Sequence, residues 1–471
     1  MSAAVTLFLL CAAPSALDEA RARTVTELEQ LCAWAADQRL PASVFRTYGW
    51  IIRFDPEHRR ARSRLGYRQA KDGRWYRPSV PKPRSDLSVT GTVRFDERAR
   101  KIADRLGRAL IAAMEEGAIG GATAYACAKD VWAIDPNHFA TREQFRCVQF
   151  EGRWEAEEVA GSRARAARLR AAAKRLRAIP VVGETRDMEE VRAAWGKTID
   201  GELVRGDVRA LSIGCAPELP ELLRRVHAVP GLLAVLFDAP PPRVPGLTLV
   251  VAQDAAAMLT WLRAREGVDA ATLRLAAQES VVWIPSTEIV VLHAAARETR
   301  TELAVHAVTQ RLLYGAFGVD ERTGWAHEGV AHHVSKQLLR RRTESFAGRQ
   351  RYRMRLVAPR DETDLYARMI ERDANWFAMA SYWLSQGKSP DLALMLHKDI
   401  RGMRARDMLF AYALVAYLSE AKEAQLAAFL RGIGAGKAPG QALQHACGLD
   451  LAALRQRLEL WLPARAALGE K

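Results

Sequence analysis

Apolar residues recur at three- and four-residue spacings along most of the chain, the pattern of helices that each bury one face. In the first third, Thr24-Val25-Thr26-Glu27 has capping-box spacing and predicts a helix through Asp37. Leu40-Pro41 opens the next, through Ile52. Asp96 precedes a predicted helix to Glu116, Gly117 to Gly121 make a turn, and a further helix runs to Trp132. From Val181 the texture changes. Val208–Gly214, Leu247–Ala252, Ser280–Ile284 and Glu288–Leu292 are short runs rich in branched residues, which predict strands. Helices are predicted between them at Leu219–Val229 and Gln253–Glu266, and the segment DAPPPRVPG reads as a proline-rich turn. Two helices follow, Thr301–Leu313 and Trp325–Leu339, then a basic, loop-rich stretch from Arg340 to Arg360. The tail predicts helices at Asp364–Gln386, Arg406–Leu418, Glu423–Gly432, Pro439–Cys447 and Leu451–Leu462. The fold class expected is helix-rich α+β: a helical N-terminal region, a small mixed sheet with helices on its face, and a C-terminal helical bundle.

The N-terminal region repeats itself. Asp55-Pro56-x-His58 matches Asp135-Pro136-x-His138, 80 residues on, and Gly73-Arg74-Trp75 matches Gly152-Arg153-Trp154 at an offset of 79. Two landmarks in one order indicate a duplicated unit. Each Asp-Pro pair suits a helix start, with Asp as the N-cap and Pro at the first helical position. The Gly-Arg-Trp element closes each unit as a turn whose indole packs back on the helices. His58 and His138 are expected to play one local capping or packing role twice. Helix, helix, then a third helix resembles tetratricopeptide-type hairpins, although their consensus is not met. That resemblance implies a surface for a protein or peptide partner.

Composition narrows the classes. With 49% apolar and 27% charged residues, the chain is a globular protein and not a disordered or collagen-like one. At 471 residues it holds two to four domains by length. Beyond the first seventeen residues no apolar run approaches the ~18–20 residues of a membrane helix, so no transmembrane span is expected in the mature chain. Six cysteines without a CxxC pair do not make a disulfide scaffold. The opening MSAAVTLFLLCAAPSALDEARA is apolar or small from Ala3 to Ala16 and resembles the core and cleavage region of a secretory signal. Residues 1–22 are therefore read as a signal segment, implying export to the periplasm or cell surface. Without a basic front to that segment, a cytoplasmic protein is the alternative. Cys11 follows Leu10, which does not suit lipidation. The formal charge of +15 raises a nucleic-acid reading. Its densest stretch, Ser162 to Pro180, spreads its basic residues around a helix and interleaves no aromatics, so a solvated connecting helix is expected there and a nucleic-acid partner is not.

The chemistry lies in the two helices after the sheet. Trp325-Ala-His-Glu328-Gly329-Val-Ala331 follows His306-Ala307-Val308-Thr309-Gln310, with Glu328 eighteen residues after Gln310. This order resembles the gluzincin zinc peptidases of the peptidase MA-like superfamily, over roughly Val181 to the C-terminus. There, HExxH supplies two zinc histidines and a general base, and Trp-x-x-Glu-Gly-x-Ala supplies a third ligand. The resemblance implies that His306 and Glu328 are residual metal positions. It also implies that Gln310 stands at the second histidine and Ala307 at the base. Zinc catalysis needs three ligands, an open position and a base, so the loss of a ligand and the base removes the means of hydrolysis. His332, one turn after Glu328, offers an alternative third ligand, giving a rearranged zinc site of His306, Glu328 and His332. His327 and His333 flank it; without such a site, His327, His332 and His333 read as surface or core-edge side chains.

The expected organisation is a signal segment (1–22), two helical units (23–80 and 81–160), a basic helical linker (161–180), a zincin-like domain (181–345) and a C-terminal helical subdomain (346–471). The function expected is that of a degenerate, non-catalytic peptidase-like protein binding a protein or peptide, with no cofactor expected and zinc as the one candidate. An active metallohydrolase with the rearranged site, and a basic surface- or nucleic-acid-associated protein, are the alternatives.

Overall fold

The computed structural model describes residues 16–78, 83–119, 121–150, 153–180, 182–242, 246–284, 287–341, 360–371 and 373–467. The chain is helix-rich α+β and divides into two units, Met1–Ala160 and Gly161–Lys471. No helix among the described residues is long and apolar enough to cross a membrane. Most of the expected signal segment, residues 1–15, lies outside the described residues, as do 243–245 of the proline-rich turn and 342–359 of the basic stretch.

The first unit runs through one order of elements twice. Helices α1 (Ala16–Asp37), α2 (Pro41–Phe54) and α3 (Arg59–Arg64) lead to a hairpin of β1 (Arg68–Gln69) and β2 (Trp75–Tyr76). Helices α4 (Val89–Glu115), α5 (Gly121–Ile134) and α6 (Phe139–Gln144) lead to a hairpin of β3 (Cys147–Phe150) and β4 (Arg153–Ala156). Two helix starts differ from expectation. Thr24 is buried inside α1, its hydroxyl donating to Ala20 O at 2.8 Å, because the apolar stripe continues back to buried Leu17. Asp96 lies inside α4, whose N-cap is Ser88, accepting from Gly91 N at 3.0 Å.

The Asp-Pro pairs also act differently. Asp55 follows the end of α2 and opens a turn, in which His58 N donates to Asp55 O at 3.2 Å. Proline suits the second position of such a turn, so the cap of the next helix falls to the histidine. His58 Nδ1 accepts from Ala61 N at 3.1 Å, and His138 Nδ1 accepts from Thr141 N at 3.4 Å. The closing tryptophans sit in hairpins, under the guanidinium groups of Arg62 and Arg142.

In the second unit, five strands order as β5 (Gly201–Arg205), β6 (Val208–Ile213), β7 (Leu247–Ala252), β9 (Ile289–His293) and β8 (Val281–Ile284). The three inner strands are parallel and both outer strands antiparallel. Every residue of β7 is buried, with Leu249 and Val251 in one core and Val250 and Ala252 in the other. Helices therefore cover both faces of the sheet, not one. On the smaller side lie α8 (Met188–Trp195), α10 (Ala255–Arg263) and α11 (Ala270–Ala276). The larger side holds α7 (Glu157–Ala178), α9 (Leu219–Phe237), α12 (Arg297–Phe317) and α13 (Gly324–Leu339). Its core continues into the C-terminal helices α14 (Arg360–Met369), α15 (Trp376–Ser385), α16 (Leu392–Leu396), α17 (Ala405–Ala421), α18 (Glu423–Gly434), α19 (Pro439–Cys447) and α20 (Leu451–Ala467). At its centre, α17 is buried without interruption from Asp407 to Glu420.

Other differences have local causes. The stretch Asp364–Gln386 is two helices, because Asn375 caps α15 through Ala378 N and the indole of Trp376 donates to Met369 O at 3.0 Å. The basic linker is not solvated on all sides: Leu169 and Ala173 of α7 enter the core. Ser162 anchors it in a buried network, donating to Glu420 at 3.0 Å and accepting from the Trp461 indole at 2.7 Å. Glu420 in turn takes the guanidinium of Arg465 at 2.9 Å.

Candidate functional site

Helices α12 and α13 form a hairpin whose connection starts with Gly318, left-handed at φ +69° at the end of α12. Trp325 pins the start of α13, fully buried and stacked on Phe429 with ring centroids 5.3 Å apart. Spacing then does the rest. His306 and Gln310 stand one turn apart on α12, and Glu328 and His332 one turn apart on α13.

These four side chains meet. His306 Nε2 lies 3.2 Å from Glu328 Oε2, and His332 Nε2 lies 3.4 Å from the same oxygen. Gln310 Nε2 donates to Glu328 Oε1 at 2.8 Å and sits 2.9 Å from His306 Nε2. The His306 and His332 rings meet edge to face at 4.9 Å. His327 stands at the margin, its Nδ1 3.9 Å from Glu328 Oε1. His333 turns away toward Tyr412, with ring centroids 5.8 Å apart. All three of His327, His332 and His333 are buried, contrary to the expectation of surface or core-edge positions. Burial would raise the Glu328 carboxyl, but the charge and hydrogen bond of His306, with further bonds from His327 and His332, hold it well below the usual carboxylate range.

A cleft of about 470 Å³ opens beside this cluster. Ala307, Gln310, His327 and Glu328 form its inner wall, and Val281 and Trp283 of β8 line it opposite. Strand alternation explains that side: Val282 and Ile284 enter the smaller core, leaving Val281 and Trp283 for the cleft. Sequence reading missed Trp283, Arg311 and Tyr314 as cleft residues. Arg311 lies over the Trp283 ring at 4.8 Å and donates through Nε to Glu288 at 2.6 Å. The indole nitrogen of Trp283 is buried without a hydrogen-bond partner. The one signal of this wall in the sequence was the alternation of β8 itself.

His306, Glu328 and His332 each offer a ligand atom, all within 4.8 Å of one another. Zinc–ligand bonds of about 2.0–2.1 Å in a tetrahedron place ligand atoms about 3.3–3.4 Å apart. The two contacts to Glu328 Oε2 match that spacing, so the donor set fits a divalent ion. The surroundings do not fit zinc hydrolysis. His332 is fully buried, Gln310 holds both His306 and Glu328, and the methyl group of Ala307 faces the cleft where a base would stand. No protein-family model, curated protein or solved structure matches this chain.

Proposed function

We propose that residues 161–471 are a zincin-like domain that binds a peptide and does not cut it, joined to a duplicated helical region that serves a protein or peptide partner. The observation that carries this reading is Gln310. Its amide links His306 to Glu328 from the place where the resemblance puts a metal-binding histidine, while Ala307 leaves the adjoining wall without a base. The cleft keeps the features that suit an extended chain. β8 is one of the two edge strands of the sheet, and an edge strand can add a peptide strand through its outward backbone groups. Trp283 and Val281 of this strand supply apolar contact.

Purified protein, with and without added zinc, is to be incubated with a random peptide pool and followed by mass spectrometry. Retention of a peptide subset without cleavage, lost in Trp283→Ala, is the expected result. Cleavage that disappears in Glu328→Gln would overturn it.

A second reading is favoured by the 3.2 and 3.4 Å spacings around Glu328 Oε2: a divalent ion held by His306, Glu328 and His332. Such an ion would brace the α12–α13 hairpin. Elemental analysis separates the two, because one stoichiometric zinc that vanishes in His332→Ala belongs only to the second.

A further inference from the structure

A second concavity lies in the same unit, lined by α7, α13, α15, α17 and α20. Its volume is about 220 Å³, and its rim carries Arg170, Lys174, Arg177, Lys336 and Arg340. No carboxylate lines it. The buried rings of Phe377 and Tyr412 form part of its wall.

Four of these charges, those of Arg170, Lys174, Arg177 and Arg340, have no carboxylate within ion-pair distance among the described residues. Arg465 also lines the cavity, but its guanidinium is taken by Glu420 at 2.9 and 3.2 Å. Glu420 also accepts from Ser162, and its backbone carbonyl takes Arg165. Burial lowers the affinity of Arg170 for its proton, the charge of Arg465 adds to that, and the Glu420 carboxylate offsets part of it. Arg177 is affected in the same way by burial and by the charges of Arg340 and Arg225.

Helix ends explain only part of the cluster. Arg340 caps α13 and Arg177 lies in the last turn of α7, where cations complement the exposed carbonyls. Arg170 stands two turns before the end of α7, beyond the reach of that effect. It shares one face of the helix with Lys174 and Arg177 at spacings of four and three residues.

We propose that this cavity is a binding site for a compact, multiply charged phosphate group, such as a di- or triphosphate or a phosphorylated headgroup. Planar guanidinium forks from α7 and α13 can engage phosphate oxygens from two sides, and the ammonium of Lys174 adds a third charge between them. The small volume and the aromatic wall favour a small ligand over a nucleic-acid strand, whose grip needs an extended track of charge with bases stacked in the open.

The test is calorimetric titration of the full chain with inorganic tripolyphosphate at near-physiological salt. In parallel, flotation is done with phosphatidylcholine vesicles containing either phosphatidylinositol bisphosphate or phosphatidylserine at matched charge. Saturable one-to-one binding is expected, weakened at least tenfold in the Arg170→Gln, Lys174→Gln double variant and unchanged in Arg274→Gln on α11. Pocket-dependent binding of tripolyphosphate assigns a free ligand; pocket-dependent binding of the bisphosphate vesicles alone assigns a headgroup. Thermal unfolding checks folding, and the double variant should melt no lower than the parent because it relieves like-charge repulsion. Binding of neither probe, equal loss in Arg274→Gln, or pocket-dependent retention of single-stranded RNA alone would overturn the proposal.

Discussion

Gly329 of α13 packs directly on the backbone of Ala411 in α17: a Cβ added at Gly329 would lie 2.8 Å from the Ala411 carbonyl oxygen. That approach gives a physical reason for glycine immediately after Glu328. The helix that carries the carboxylate can press against the buried central helix only where it has no side chain.

Gly329→Ala should therefore lower stability by roughly 1–3 kcal/mol, the usual cost of overpacking a close helix contact. Thermal unfolding of the variant measures it, and an unchanged midpoint would mean that the two helices separate readily.

Glu328 is the acceptor on which four side chains converge: His306, Gln310, His327 and His332. Glu328→Gln should cost about 3 kcal/mol, the scale for breaking a buried charged network from one side. Because its folded-state pKa is depressed, the carboxylate contributes stability above the unfolded value of ~4.3, and that contribution is lost as pH falls through the depressed value. The gap in unfolding midpoint between parent and variant should close under strong acid, as the carboxylate is protonated.

Restoring Ala307→Glu together with Gln310→His should create stoichiometric zinc binding, since His306 and Glu328 are already within 3.2 Å of each other. Metal content after dialysis is the measurement. A double variant that takes up no zinc would show that α12 does not present a metal-binding face.

The two capping histidines should differ in weight. His138 is 5% exposed, and a Cβ on Gly107 would meet its ring at 2.5 Å, whereas His58 reaches half-exposed Glu29 at 3.0 Å. His138→Ala should cost about 1–2 kcal/mol, the upper range for a lost cap, and His58→Ala less. Equal effects on urea unfolding would argue against this ranking.

The helices and strands around the site were legible because their patterns are local. β6, β7 and the α12–α13 pair fall where apolar spacing and branched runs place them, and the repeated Asp-Pro-x-His did mark two equivalent turns. Boundaries failed where a tertiary contact outweighed a local signal. Thr24 looks like a cap until Leu17 is seen buried a few residues upstream, and Asp55 looks like a cap until His58 takes the next helix. β5 went unseen because GELVR is short and half polar, and becomes a strand only by pairing with β6. Of the site residues, His306, Gln310 and Glu328 were picked out by the resemblance to the gluzincin motifs, and His332 by its helical spacing from Glu328. The opposite wall was not, since Trp283 reaches the cleft only through the sheet order.

The position of β8 carries a cost as well as an opportunity. A strand that ends a sheet turns one side of its backbone outward and can join a neighbouring copy of itself as readily as a foreign segment. At high concentration without a ligand the chain should self-associate through this edge, and a saturating occupant should keep it monodisperse.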